Sequence, residues 1–194
     1  KQHGCDHLIL PDDSILDNIK TIKAPSKANK LCGLNRPGHF DGVLTILNKF
    51  FNIINPNILI LGKKDYQQFV LVKDFIKDKN LNIKTVGVET IRERNGLAYS
   101  SRNTLLSNNN KSIASMLYKV LMDIELNKGD LSNDLLNTQI KYLTSNGFEL
   151  DYLDVCDTES LEQSLDIYKK DLLVAIAAKL NNVRLIDNIV LTKL

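Results

Sequence analysis

The sequence predicts an α/β protein, with a parallel sheet in the first half of the chain and a smaller α+β unit in the second. Three observations predict it. Ile58 to Leu61 is a continuous apolar run ending at Gly62, and Asn82 to Val88 is a second strand-like segment. Between them, from Asp65 to about Lys79, Phe69, Val72, Phe75 and Ile76 recur at helical spacing. Strand, helix and strand at this spacing form a βαβ crossover, and therefore a parallel sheet. After Glu89 the texture changes. Arg92-Glu93-Arg94-Asn95-Gly96 is charged and turn-forming, which places a domain boundary between 1–90 and 91–194.

The remaining elements follow in order. His7-Leu8-Ile9-Leu10-Pro11 reads as a strand, and Asp12 to Lys30 is polar, without clean period, and mostly loop. A domain that opens on an inner strand is expected to lack something upstream. Gly42 to Ile54 reads as a helix, because Val43, Ile46, Leu47, Phe50, Ile53 and Ile54 recur at three and four; Asn55-Pro56-Asn57 stops it. The unbroken apolarity of Ile58 to Leu61 is the pattern of a parallel strand covered on both faces. In the second half, helices are expected from Asn109 to Asn127 and from Leu131 to Asn146, the latter closed by Gly147. Strands are expected at Glu149 to Val155, Leu172 to Lys179 and Val183 to Leu191, with a short helix from Ser160 to Tyr168. Asn181-Asn182 is a tight-turn pair joining the last two strands in a hairpin.

Composition narrows the function classes. Hydrophobic residues make up 43% and charged residues 25% of the 194, ordinary values for a globular chain. A net charge of +2 gives no electrostatic case for a nucleic-acid or membrane-surface partner. No apolar run approaches the roughly 20 residues that span a bilayer, and the start does not resemble a signal peptide. Cys5, Cys32 and Cys156 make no paired framework, so a cytoplasmic location is expected. His3, Cys5 and His7 alternate but have no fourth ligand nearby, so no metal site is expected there.

The stretch richest in chemistry is Leu61-Gly62-Lys63-Lys64-Asp65-Tyr66-Gln67-Gln68. It carries a strand into a glycine turn and then into a helix, placing backbone N–H groups, a cation and polar side chains at the carboxyl end of the strand. Open α/β sheets hold nucleotides there, since a helix N-terminus attracts phosphate and glycine lets it come close. Lys64 and Gln68 are four apart and share a helical face. The competing structural reading is that Asp65 caps the helix and Gln68 completes a capping box.

Three further segments stand in register with this one: Arg36-Pro37-Gly38-His39-Phe40-Asp41-Gly42-Val43, Gly96-Leu97-Ala98-Tyr99-Ser100-Ser101-Arg102-Asn103, and Arg184-Leu185-Ile186-Asp187-Asn188. In this order and spacing the chain resembles the pantothenate synthetase family over nearly all its length. The resemblance implies a Rossmann-like nucleotidyltransferase fold with a C-terminal lid. It implies condensation of pantoate with β-alanine at the expense of ATP, through a pantoyl adenylate, in a homodimer, with Mg²⁺ bridging phosphates. By the same resemblance Lys64 contacts the ATP phosphates, Asp65 takes the ribose hydroxyls and Gly62 lets the ribose approach. Ser100, Ser101 and Arg102 serve the β- and γ-phosphates, and Ile91 and Tyr99 border the adenine. Gln68 holds pantoate, Ile46, Leu47 and Leu61 pack its gem-dimethyl group, and Arg36 is a further ligand contact. Lys64, Ser100 and Arg102 are then the catalytic set.

His39 is given a brace or interface role, Ser100-Ser101 alone reads as a solvated serine turn, and Arg184 and Asp187 are expected to pair within the C-terminal sheet. Lys63 is expected to add positive charge beside the phosphates. The family pattern also calls for an upstream histidine-glycine-histidine helix start, a motif that none of His3, His7 and His39 forms. The 194 residues are therefore expected to be a fragment with weak ligase activity by itself. Two other readings stay open: a related adenylyltransferase, which Gln68 and the apolar trio argue against, and a non-enzymatic nucleotide-binding module.

Overall fold

The computed structural model describes residues 4–194. His3, one of the three alternating candidate metal ligands, lies outside the described residues. Residues 7–11 form no strand, and Leu8, Ile9 and Leu10 are exposed. An isolated apolar run does not hold an extended ladder without a neighbouring strand to accept its hydrogen bonds. Residues 12–30 are irregular apart from two short 3₁₀ turns, Asp13–Leu16 and Ser26–Asn29.

A single helical turn, α1 (Leu31–Leu34), leads to α2 (His39–Ile54), β1 (Ile58–Gly62), α3 (Tyr66–Asp78) and β2 (Lys84–Val88). Asn55 ends α2 in the left-handed region at φ 48°, which asparagine tolerates. β1 and β2 pair in parallel, Ile58 opposite Lys84 through Gly62 opposite Val88, as the crossover requires. Leu59 and Leu61 pack against Leu44 and Phe51 of α2 and Val72, Phe75 and Ile76 of α3. Coverage on both faces is not observed. Ile58 and Ile60 are 56% and 65% exposed, so β1 alternates like a strand buried on one face only.

The second half is built on an antiparallel sheet of β3 (Glu149–Asp157), β4 (Leu172–Leu180) and β5 (Val183–Leu191), in the order β3-β4-β5. Its helices are α4 (Asn108–Ala114), α5 (Met116–Leu126) and α6 (Asn133–Ser145). The single helix expected from Asn109 to Asn127 is broken at Ser115, whose hydroxyl donates back to the Ser112 carbonyl at 2.7 Å. Gly147, at φ 85°, and Phe148 close α6 by donating to the Thr144 and Leu143 carbonyls, a Schellman ending with Phe148 and Leu143 buried together. Asn181 and Asn182, both at positive φ, make the β4–β5 turn. No helix forms from Ser160 to Tyr168. Asp157 accepts from the Glu159 and Ser160 N–H groups and the Ser160 hydroxyl, tying the backbone into a turn instead.

β4 is buried on both faces, which explains its unbroken apolarity. One face meets α5 and α6 through Leu172, Val174 and Ile176. The other, through Leu173 and Ala175, packs with Leu31, Tyr66, Phe69 and Val70 from the first half. This apolar junction brings the strand ends of both halves together. The connecting segment 91–99 doubles back through an Arg92–Ala98 bridge. Gly96 sits at its tip, at φ 93°, where a Cβ would lie 2.5 Å from the Tyr118 ring.

Candidate functional site

A cavity opens at the junction, lined from both halves. The first half contributes Cys32, Arg36, His39, Lys64, Asp65 and Gln68, and the second contributes Ser100, Arg102, Asn103, Tyr152 and Arg184 to Asn188. The β1–α3 turn therefore delivers Lys64, Asp65 and Gln68 to one space. The capping-box alternative is not realised, because the Asp65 side chain makes no capping bond to α3. Among the described residues, no hydrogen bond or ion pair occupies the side chains of Lys64, Asp65, Gln68 or Arg36. The neighbouring Gln67 is different. It is 4% exposed and its amide holds the Lys27 and Lys30 carbonyls at 3.1 and 2.7 Å, a bracing role.

Two expectations are corrected by this geometry. Lys63 adds no free charge beside the cavity, since it is ion-paired with Glu89 and lines a separate groove. Arg184 and Asp187 do not pair with each other. Arg184 Nε binds Asp151 at 2.6 Å, while Asp187 takes a two-pronged grip from Arg92 at 2.6 and 2.9 Å. Both facts follow from strand alternation, which sets residues three apart on opposite faces. Gly62, Ile91, Tyr99 and Ser101 do not line the cavity, although the Tyr99 N–H donates to the Ile91 carbonyl at 2.9 Å. Nor do Ile46, Leu47 and Leu61 line it; Leu47 and Leu61 are spent in the core between α2, α3 and β1.

Ser100 does both jobs weighed from sequence. Its hydroxyl accepts the Arg102 N–H at 3.2 Å, capping the 3₁₀ turn Ser101–Leu105, and it still borders the cavity with a proton left to donate. Arg102 is exposed and donates to the Arg184 carbonyl at 3.1 Å. Arg36, Lys64 and Arg102 thus stand against the Asp65 carboxylate, a cationic balance suited to a polyanion. Burial, followed by the Arg36 charge, pushes His39 below 6.5, which leaves its ring predominantly neutral at neutral pH. Burial raises Asp187 above 3.8 against the opposing pull of Arg92.

Sequence reasoning missed Cys32, Tyr152, Asn103 and Asn188. Cys32 Sγ lies 3.0 Å from the Tyr152 hydroxyl and 3.8 Å from Arg184. Asn103 gives its amide N–H₂ to Glu93 and to the Ala98 carbonyl, while its buried Oδ1 has no partner among the described residues. The Cys32 contacts join segments 120 and 152 residues apart and leave no local pattern.

The family model described as pantoate-beta-alanine ligase matches residues 1–190. The chain belongs to the pantoate-beta-alanine ligase family. It is 39% identical to the pantothenate synthetase of Shewanella pealeana over 196 residues, covering 96% of this chain and 68% of that protein. It is 37% identical to the Pseudomonas putida enzyme, covering 98% and 69%. Among solved structures it is similar to pantothenate synthetase from Thermus thermophilus, with a TM-score of 0.81 and 31% identity over 90% of this chain and 63% of that one. It is also similar to the Francisella tularensis pantoate-beta-alanine ligase complexed with β-γ ATP and β-alanine, at TM-score 0.69 and 35% identity, covering 89% and 58%. The chain thus spans from 58% to 69% of the length of these ligase-family relatives. Among the described residues no helix is long and apolar enough to cross a membrane, and no three His, Cys, Asp or Glu side chains gather as metal ligands.

Proposed function

We propose that this chain carries the junction site of an ATP-dependent ligase that condenses pantoate with β-alanine to give pantothenate. The observation that carries the reading is the convergence of Lys64, Gln68 and Arg102, from both halves, on one cationic cavity in a chain of this family. The pantoate carboxylate attacks the α-phosphorus of ATP, the bond to the bridging oxygen breaks, and pyrophosphate leaves. The β-alanine nitrogen, having lost a proton, then attacks the activated acyl carbon, and AMP departs. Lys64 and Arg102 offset the charge that develops on the phosphates, and the Ser100 hydroxyl donates to a phosphate oxygen. Asp65 accepts from the ribose hydroxyls, and Gln68 holds the pantoate carboxylate and hydroxyl beside the α-phosphate.

Mg²⁺ bound with the nucleotide would supply positive charge to the phosphates beside that of Lys64 and Arg102. The roles given to Gly62, Ile91, Tyr99, Ser101, Ile46, Leu47, Leu61 and Arg36 remain part of this proposal, with the division at 90/91, the lid motion, the homodimer and the cytoplasmic location. The test is release of AMP and pyrophosphate from ATP in the presence of pantoate, matched one for one by amide when β-alanine is added. AMP release that ignores pantoate, or a transfer to some other acceptor, would favour the related adenylyltransferase instead.

A further inference from the structure

Lys64 sits on a turn that does not hold itself in place. The 3₁₀ turn Lys63–Asp65 enters α3 through Asp65, at φ −94° and ψ 61°, outside helical geometry and without a side-chain cap. The Lys63 and Lys64 carbonyls take donors from outside the turn. Asn188, on β5 and 8% exposed, supplies them. Its Nδ2 donates to the Lys63 carbonyl at 3.1 Å and to the Lys64 carbonyl at 2.8 Å, across 125 and 124 residues of chain.

Asn188 is itself gripped through both of its backbone groups. Its N–H donates to Asp187 Oδ1 at 2.8 Å, and its carbonyl accepts from Arg92 at 3.3 Å. Arg92 closes the set by binding both Asp187 oxygens and lying 3.8 Å over the Tyr118 ring. One connected network thus runs from the linker, through β5, to the backbone beneath Lys64.

We propose that Asn188 is a positioning residue, holding the turn that aims Lys64 into the cavity from the opposite half of the protein. The Arg92–Asp187 pair is the anchor of this clamp, so the linker fixes the lysine without touching the ligand. A donor pair is what the place demands: two carbonyl oxygens converge there, and the two N–H groups of the side-chain amide answer both. The link to ATP rests on the functional reading above; the clamp itself does not.

The experiment compares Asn188→Ala and Asn188→Asp with the unaltered protein by hydrogen exchange and by titration with ATP and with adenosine. Exchange in the peptide covering residues 62–68 should quicken about tenfold in the alanine variant and more in the aspartate variant, whose carboxylate faces two carbonyls. Protection in β3 and β4 should stay unchanged. ATP affinity should fall about tenfold or more, while adenosine, which has no phosphates for Lys64 to meet, should bind as before. A uniform loss of protection, or equal loss for ATP and adenosine, would show an ordinary core residue and overturn the proposal. An unaltered protein that binds no ATP would sink the ligase reading, while the exchange result would still decide the clamp. Should the variants not fold, the Asn188 side-chain amide protons of the unaltered protein decide it: exchange as slow as the β5 backbone supports the clamp, and exchange at the solvent rate overturns it.

Discussion

Replacing Arg92 by methionine should be among the costliest single changes outside the cavity. Methionine keeps most of the apolar stem over Tyr118 and removes the guanidinium, so the charge is isolated from the packing. The Arg92 side chain is 16% exposed and that of Asp187 only 2%. Without Arg92 the Asp187 carboxylate keeps one N–H donor and little water. Breaking one side of a buried pair typically costs about 3–5 kcal/mol. In a chain of this size each kcal/mol lowers the melting midpoint by about 2–4 °C, so the fall should be about 6–20 °C.

The pH dependence is a second check on the same variant. Burial already raises Asp187 above 3.8, and removing Arg92 takes away the main opposing influence. With the folded value above the unfolded one, the penalty on the charged form is full above the folded value. It fades as pH falls to 3.8. Urea denaturation followed by circular dichroism is the assay, since the chain has no tryptophan. A loss below about 1 kcal/mol, typical of a surface pair, or a deficit that widens on acidification, would refute the argument.

Lys64→Ala should weaken ATP by roughly 10- to 100-fold in isothermal titration, the worth of one charge-assisted contact; an unchanged affinity would remove the lysine from the phosphate site. Gln68→Ala should weaken pantoate more than ATP in the same titrations, and the reverse order would misplace the acid. The His39 ring should titrate below 6.5 by NMR, because the folded site disfavours its cation. Since the unfolded chain then binds the extra proton first, His39 costs stability as pH falls through 6.5, and His39→Asn should flatten that part of the stability curve. Gly147→Ala, at φ 85°, should cost about 1 kcal/mol in denaturation with ligand affinity intact.

What could be read from the sequence was what short-range chemistry writes there. The parallel crossover, the β4–β5 hairpin at Asn181-Asn182 and the Gly147 helix ending each rest on residues within a few positions of one another. The same holds for Lys64 and Gln68, one helical turn apart. Errors arose where a distant or competing partner decides. The Asp157 carboxylate overrode helical pattern from Ser160 to Tyr168, and Ser115 interrupted a periodic run. Ile58 and Ile60 look core-bound, yet only one face of β1 meets helices in the described residues. Asn188 and Tyr152 in the cavity, and Arg92 behind it, are set by pairs separated by 124, 120 and 95 residues, for which no local spacing exists.

A crystal structure of the protein with pantoate and a non-hydrolysable ATP analogue reaches the centre of the account. It should show phosphate oxygens about 3 Å from Lys64 Nζ and the pantoate carboxylate against the Gln68 amide. Both ligands ordered at another surface, with Lys64 and Gln68 left facing solvent, would contradict it.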